Sequence, residues 1–352
     1  MVRVIQWATG SMGRTSLRRI IDHPDLELAG VYVYGAKKAG TDAGALAKRP
    51  ETGILATADI EEILATPADL VLHTPRITLP YEALADDVIR LLRSGKNVIS
   101  LAGFHWPAAQ SGDYAARLHE AALEGGVTLA GLGVNPGMVV ERLALTATGL
   151  CARVDRIGIS EMVDASAMTA APFVFDLMGL GSDPAVNDIR KGPLATLYAK
   201  LFGEVLQFAA HALGTRLVTV TPDHQLTLAP RDVVIPAGTI PAGTVAATEW
   251  RWLALMENGA ELLLSILWTA DPALHPDRGS GHWTITIDGR PTIRMTLDIG
   301  EADPAAPPTR ALADATVAVA FNAIPDVLAA PPGLFAYRPP GPWRPRLNGG
   351  GA

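Results

Sequence analysis

The segment Gly103-Phe104-His105-Trp106-Pro107 carries one titratable side chain, His105, directly after the apolar run 97–102 (NVISLA). An imidazole titrates near neutral pH, so it can hand a proton to the oxyanion or amine that develops when a carbonyl or imine is reduced. The competing reading is a surface or capping histidine. Glu161 closes the run 154–162 (VDRIGISEM) and enters a loop-rich stretch, where it could bind a cationic amine or imine or pair with an arginine. Glu249 alternates with Arg251 and reads as a salt-bridged structural carboxylate; His282, beside Trp283, is a weaker donor candidate. His211 and His224 fit helix-end and loop roles. Met168, Phe173, Phe175, Leu177, Met178 and Leu180 suit a hydrophobic substrate, although core packing explains the same residues.

These groups need a partner to supply electrons, and the first stretch of the chain offers a place for one. VRVIQWATGSMGRTSLRRII (2–21) reads as a short strand, a glycine turn and a helix. That context is the one a dinucleotide fingerprint requires. Thr9, Gly10, Ser11, Met12 and Gly13 form the turn. A glycine at Gly10 admits a pyrophosphate close to backbone N–H groups, and Gly13 lets the helix pack near the strand. The first glycine of G-x-G-x-x-G is Ala8 here. The next strand, 26–33 (LELAGVYV), leads into Tyr34, Gly35, Ala36, Lys37 and Lys38. A carboxylate at that place would hold the ribose hydroxyls of NAD. Two lysines without one favour a 2′-phosphate, so NADP(H) is the preferred cofactor and NAD(H) the alternative.

The elements that position these residues follow from pattern. Apolar runs at 69–74, 97–102 and 127–132 alternate with helical segments at 81–93 and 113–123, which means an α/β chain with a doubly wound parallel sheet of Rossmann type. Ligands of such sheets lie beyond the carboxyl ends of the strands. Thr74, Ala102, Gly103 and Asn135 are therefore expected around the nicotinamide end, with Asn135-Pro136 also reading as a helix N-cap and first-turn proline. The pattern changes after about residue 150. A long helix over 188–213 precedes a β-rich block at 217–299 with hairpin signals at Asn258-Gly259 and Asp288-Gly289. A two-residue turn at Asn258-Gly259 would place Trp250, Trp252, Ala254 and Met256 on one face with Leu263 and Leu267. Leu253 and Leu255 would then share the other with Leu262, Leu264, Ile266 and Trp268. Both faces would be apolar, so one calls for the long helix and the other for a second copy of the sheet, giving a homodimer.

The expected organisation is a dinucleotide-binding domain at 1–135 and an α+β domain for substrate and dimerisation at 136–308, carrying a mostly antiparallel open sheet. A helix at 309–330 returns to the first domain, and 331–352 forms an extended tail. The length of 352 residues is ample for this. A net charge of -7 with 18% charged residues gives no basis for binding nucleic acid or an anionic membrane. The single cysteine, Cys151, excludes an internal disulfide and a multi-cysteine metal site. The longest apolar run, 262–268, is too short to span a bilayer and no signal peptide is visible, so a cytoplasmic protein is expected.

Three segments carry a family resemblance. WATGSMGR (7–14) resembles the GATGRMGR-type opening of the dihydrodipicolinate reductase-like N-terminal domain. GLGVNPGMVVERL (131–143) and AVAFNAIPDVLAAPPGL (318–334) resemble native amine dehydrogenases and 2,4-diaminopentanoate dehydrogenases. The resemblance implies a Rossmann domain, a second α+β domain whose open sheet dimerises, and NAD(P)H-dependent reductive amination of a carbonyl with ammonia or its reverse. It carries over Gly10, Ser11, Met12 and Gly13 from the turn, and Asn135, Pro136 and Gly137 from the NPG segment. Dihydrodipicolinate reductase itself resembles the chain only at the N-terminus, and its paired-histidine motif is missing, since no His-His occurs. Amine-forming members are expected to place a carboxylate just after the 97–102 strand, and 100–107 contains neither Asp nor Glu. An imine or carbonyl reductase that does not use ammonia is therefore the alternative enzyme, and a catalytically silent NADP(H)-binding protein the alternative of another class.

Overall fold

The computed structural model describes residues 1–278, 282–307 and 309–345. It divides into two compact units, Met1–Met138 with Ala313–Tyr337, and Val139–Leu312 with Arg338–Ala352.

In the first unit the chain runs β1 (Val2–Trp7), α1 (Ser11–Asp22), β2 (Leu26–Tyr32), α2 (Ala43–Ala47), β3 (Ala56–Thr57), α3 (Ile60–Ala65) and β4 (Leu70–His73). It continues through α4 (Ala85–Arg93), β5 (Asn97–Ser100), α5 (Gly112–Gly125) and β6 (Thr128–Gly131). The second unit holds α6 (Leu145–Thr148), β7 (Arg153–Asp164), α7 (Pro193–Ala212), β8 (Leu217–Pro222), β9 (Gln225–Leu228), β10 (Val233–Ile235) and β11 (Gly238–Ile240). It also holds β12 (Val245–Met256), β13 (Glu261–Thr269), β14 (Trp283–Arg290) and β15 (Ile293–Leu297). Next come α8 (Thr309–Asn322), α9 (Ile324–Ala329) and β16 (Gly333–Phe335). Of the segment expected as a tail, residues 333–335 thus form a strand, and residues 346–352 lie outside the described residues.

The first sheet is parallel throughout, in the order β16-β6-β5-β4-β1-β2-β3. Its strands are short and apolar because both faces are covered. Ile5, Trp7, Val71 and Val98 pack with Leu91, Leu92 and Leu118 in one core. Leu17 packs with Val31, Val33 and Ala47 in another. In the sequence the longest apolar run is 262–268. Among the described residues, however, the 21-residue helical stretch Thr309–Ala329 is long and apolar enough, by length and composition, to cross a membrane. Its Val317, Ala320 and Val327 are buried within the first unit.

The second sheet is mixed, in the order β15-β14-β7-β13-β12-β8, with β9 also on β12; β13 and β7 are parallel and the other pairs antiparallel. Its first hairpin differs from expectation by one residue. Met256 N–H donates to Ala260 O, and Glu257-Asn258-Gly259 makes a three-residue turn with Gly259 at φ +84°. Ala254 consequently pairs with Leu262 and Trp252 with Leu264. A shift of one residue reverses the faces of a strand. Trp250, Trp252, Ala254 and Met256 therefore share a buried face with Leu262, Leu264 and Ile266. Helix α7 covers it, with Tyr198 against Trp250 and Phe202 against Trp252. The opposite face was expected to be apolar as well, but it mixes Leu253 and Leu263 with charged groups. It contains a groove of about 370 Å³ lined by Arg156, Ser160, Glu249, Arg251, Ser265 and Arg278, among others.

Two further boundaries moved. Helix α7 starts at Pro193 rather than 188, because the residue before a proline is driven to extended backbone; Gly192 has ψ -165°. The hairpin signal at Asp288-Gly289 does mark a reversal, since Ile287 pairs with Ile293 and the chain turns back through 288–292, but Asp288 and Gly289 stay paired with β7 as the end of β14 rather than forming a two-residue turn. Gly289 sits at a bulge, where a Cβ would stand 2.0 Å from the Arg153 carbonyl oxygen.

Candidate active site

Strand β1 ends in a backbone twist. Ala8 adopts φ +70°, its N–H still donating to Tyr32 O (2.9 Å) while its carbonyl accepts from Gln6 Nε2 (2.9 Å). Gly10 caps α1, accepting from Arg14 N–H at 2.9 Å. A glycine brings no side-chain acceptor to this helix start, and no acidic residue lies in the first turn. The leading N–H groups and the positive end of the dipole thus remain for an anion. The two glycines of the turn have different reasons. A Cβ on Gly13 would stand 2.2 Å from the Ala8 carbonyl oxygen and 2.9 Å from Thr74 Oγ1. A Cβ on Gly10 would meet nothing within 4 Å among the described residues, and its φ of -71° suits any residue. Gly13 is required by the fold; at Gly10 the open cradle fits the close approach of a dinucleotide pyrophosphate.

Lys38 reaches back onto this turn, its Nζ donating to both Thr9 O and Thr9 Oγ1 at 3.0 Å. Lys37 is exposed, as are Ser11 and Tyr34, while Met12 is half-buried. Thr74 is buried beneath the turn, donating through Oγ1 to Trp7 O (3.0 Å) and accepting from Gln6 (2.8 Å). Gln6 itself went unnoticed in the sequence. The available signal was a lone amide inside an apolar strand.

At the carboxyl end of β4, His73 is fully buried, with Nδ1 2.9 Å from Ser100 Oγ. Burial pushes its pKa down to about 3, so it is a neutral imidazole. Ser100 Oγ also accepts from Ala102 N–H (3.1 Å). Next to it Gly103 (φ +102°) lies against Tyr81, and Phe104 adopts φ +67°. His105 is not a surface histidine but 3% exposed. Its Cε1 lies 3.2 Å from where a Cβ of Gly137 would be, so Gly137, at φ +125°, makes room for the ring. Asn135 does not cap a helix. Residues 135–137 have non-helical backbone, with a cis Asn135–Pro136 bond, and this loop folds against His105 instead. The first unit therefore gathers Thr9 to Gly13, Lys38 and Thr74 at one strand end, and His105 with the loop that carries Asn135 at another.

Glu161 belongs to the second unit, where it is buried and accepts from Trp283 Nε1 at 2.8 Å. Glu249 is paired with Arg278, not with Arg251, whose partner is Asp223. Burial raises the Glu249 carboxyl, but the Ser265 hydroxyl and Arg278 outweigh it and hold the pKa below the usual value. His282 lies 2.6 Å from Asp298 at the surface. Of the apolar loop, Met178 and Leu180 are buried in a core with Val163, Ile235 and Val245, against which Met168 and Phe175 pack, whereas Phe173 is exposed.

Residues 138–338 match the model of the 2,4-diaminopentanoate dehydrogenase C-terminal domain. An amine dehydrogenase of Streptomyces virginiae is 30% identical over 315 residues, 85% of either chain. The chain belongs to this family of amine and diaminopentanoate dehydrogenases. A 2,4-diaminopentanoate dehydrogenase of Acetoanaerobium sticklandii is 28% identical over 344 residues, covering 95% of this chain and 91% of the relative. The solved structure of an amine dehydrogenase from Mycobacterium smegmatis has the same fold, with a TM-score of 0.76 at 20% identity over 95% of this chain and 94% of that one. This family member is an NAD(P)-dependent oxidoreductase.

Proposed function

We propose that the protein interconverts a small to medium hydrophobic ketone and the corresponding amine, using ammonia and NADP(H). In the aminating direction, ketone, ammonia, NADPH and a proton give amine, water and NADP⁺. The observation that carries this reading is the match to amine-named relatives along almost the whole chain. The nicotinamide, when bound, supplies or takes up the hydride.

The residues of this chain do the rest. Thr9, Gly10, Ser11, Met12 and Gly13 hold the pyrophosphate on the start of α1, and Lys37 and Lys38 pair with the 2′-phosphate. Thr74, Ala102, Gly103 and Asn135 line the nicotinamide side. His105 exchanges the proton at its imidazole, and Glu161 holds the cationic amine or imine. Residues 1–135 act as the dinucleotide-binding domain and 136–308 as the substrate domain. The mixed face of the second sheet takes a second copy of the chain, giving a homodimer in the cytoplasm; sedimentation at the mass of one chain would remove that part.

NADPH oxidation with cyclohexanone tests the reading. Turnover that requires high ammonium supports it. Turnover without ammonium, or only with a preformed imine, selects an imine or carbonyl reductase, the reading favoured by the absence of a carboxylate in 100–107. Tight NADP(H) binding without turnover over a broad carbonyl panel would leave a cofactor-binding protein.

A further inference from the structure

Ala8 stands where the dinucleotide fingerprint has its first glycine, and it adopts the left-handed backbone that favours glycine there (φ +70°). Gln6, fully buried two residues earlier in the strand, faces three oxygens through a single nitrogen. Its Nε2 lies 2.9 Å from Ala8 O, 3.1 Å from Trp7 O and 2.8 Å from Thr74 Oγ1. The Thr74 hydroxyl spends its proton on Trp7 O at 3.0 Å, so towards Gln6 it can only accept. Every neighbour of the amide nitrogen therefore needs a donor, which fixes the orientation of the amide. The other half of the side chain, Oε1, is buried without a partner among the described residues. A buried amide oxygen left unpaired is costly, so the position is occupied for its N–H groups.

Those N–H groups hold the Ala8 carbonyl down over Gly13, whose missing Cβ leaves room for it. With the Ala8 peptide turned this way, Thr9 and Gly10 leave the sheet and Gly10 caps α1. We propose that Gln6 is a positioning residue for the dinucleotide turn, stabilising at Ala8 the backbone that a glycine would adopt unaided. The proposal rests on the nicotinamide cofactor lying on this turn, but its structural half does not.

Four full-length proteins test it: wild type, Gln6→Leu, Ala8→Gly and the double variant. Each is melted without ligand and titrated with NADPH and with NADH by calorimetry. Gln6→Leu is expected to melt lower and to bind both cofactors roughly tenfold more weakly, with the carbonyl-substrate KM unchanged. Ala8→Gly in the Gln6→Leu background is expected to restore most of both losses, because glycine needs no support at φ +70°. A Gln6→Leu protein that fails to fold while the double variant folds counts for the proposal. Unchanged affinity in a folded Gln6→Leu protein, strictly additive losses, or failure of both variants to fold would overturn it. If the wild type binds neither cofactor, the cofactor reading fails, and the melting rescue still decides whether Gln6 supports Ala8.

Discussion

The α-carbon of Gly13 lies against the carbonyl of Ala8, so that a Cβ there would stand 2.2 Å from the oxygen, whereas one on Gly10 would meet nothing within 4 Å among the described residues. Gly13→Ala should therefore lower stability by roughly 1–3 kcal/mol, as overpacking does, visible as a drop in Tm. Gly10→Ala should melt with the wild type and yet raise the cofactor Kd by about tenfold or more, since its methyl enters the space reserved for the pyrophosphate. A Gly10→Ala protein that binds NADPH as the wild type does would show that nothing approaches the turn there.

Lys37 and Lys38 are both exposed, and Lys38 is tied to Thr9 through two 3.0 Å contacts. Replacing both by alanine should weaken NADPH by roughly 1–3 kcal/mol more than NADH, the worth of a charge-assisted bond to a phosphate. Lys38→Ala alone should also loosen NADH slightly, because it frees Thr9. Equal losses for the two cofactors in the double variant would end the 2′-phosphate assignment.

His73 gives the fold an acid sensitivity of known sign. Its folded pKa is lowered by burial to about 3, while the unfolded chain protonates near the ordinary value of 6.5. Its contribution is complete above 6.5 and declines as the pH falls towards 3, at up to about 1.4 kcal/mol per unit. Denaturant unfolding of the wild type and His73→Asn at several pH values should show the shallower slope in the variant. Parallel slopes would mean that the buried ring does not govern acid lability.

His105→Ala should lower kcat by roughly 10² or more, the usual worth of a positioned acid–base group, with cofactor Kd within about twofold of the wild type. A kcat left unchanged would take His105 out of the chemistry and leave it as packing for the 133–137 loop.

What was legible in the sequence was local chemistry. The run 2–7, the glycine turn and the apolar face of α1 specify strand, turn and helix within twenty residues. The alternation of short apolar runs with helical segments specifies the parallel sheet. Lys37 and Lys38 and the glycine spacing announce an anion site because charge and backbone freedom belong to residue types. The second sheet was less legible. A single extra residue in the Glu257–Gly259 turn exchanged the faces of β13 relative to β12, and both candidate registers buried similar apolar side chains. Asn135-Pro136 has the composition of a helix start, but packing of its loop on His105 decided otherwise. Sequence alone determined which groups are available: a turn that can take a pyrophosphate, a neutral-to-basic segment after β2, an imidazole after β5. Tertiary structure alone decided that Gln6 props Ala8, that His73 is uncharged, and that Glu249 belongs to Arg278. Each of these depends on atoms brought together from distant parts of the chain or on the exclusion of water, and neither is encoded in the spacing of neighbouring residues.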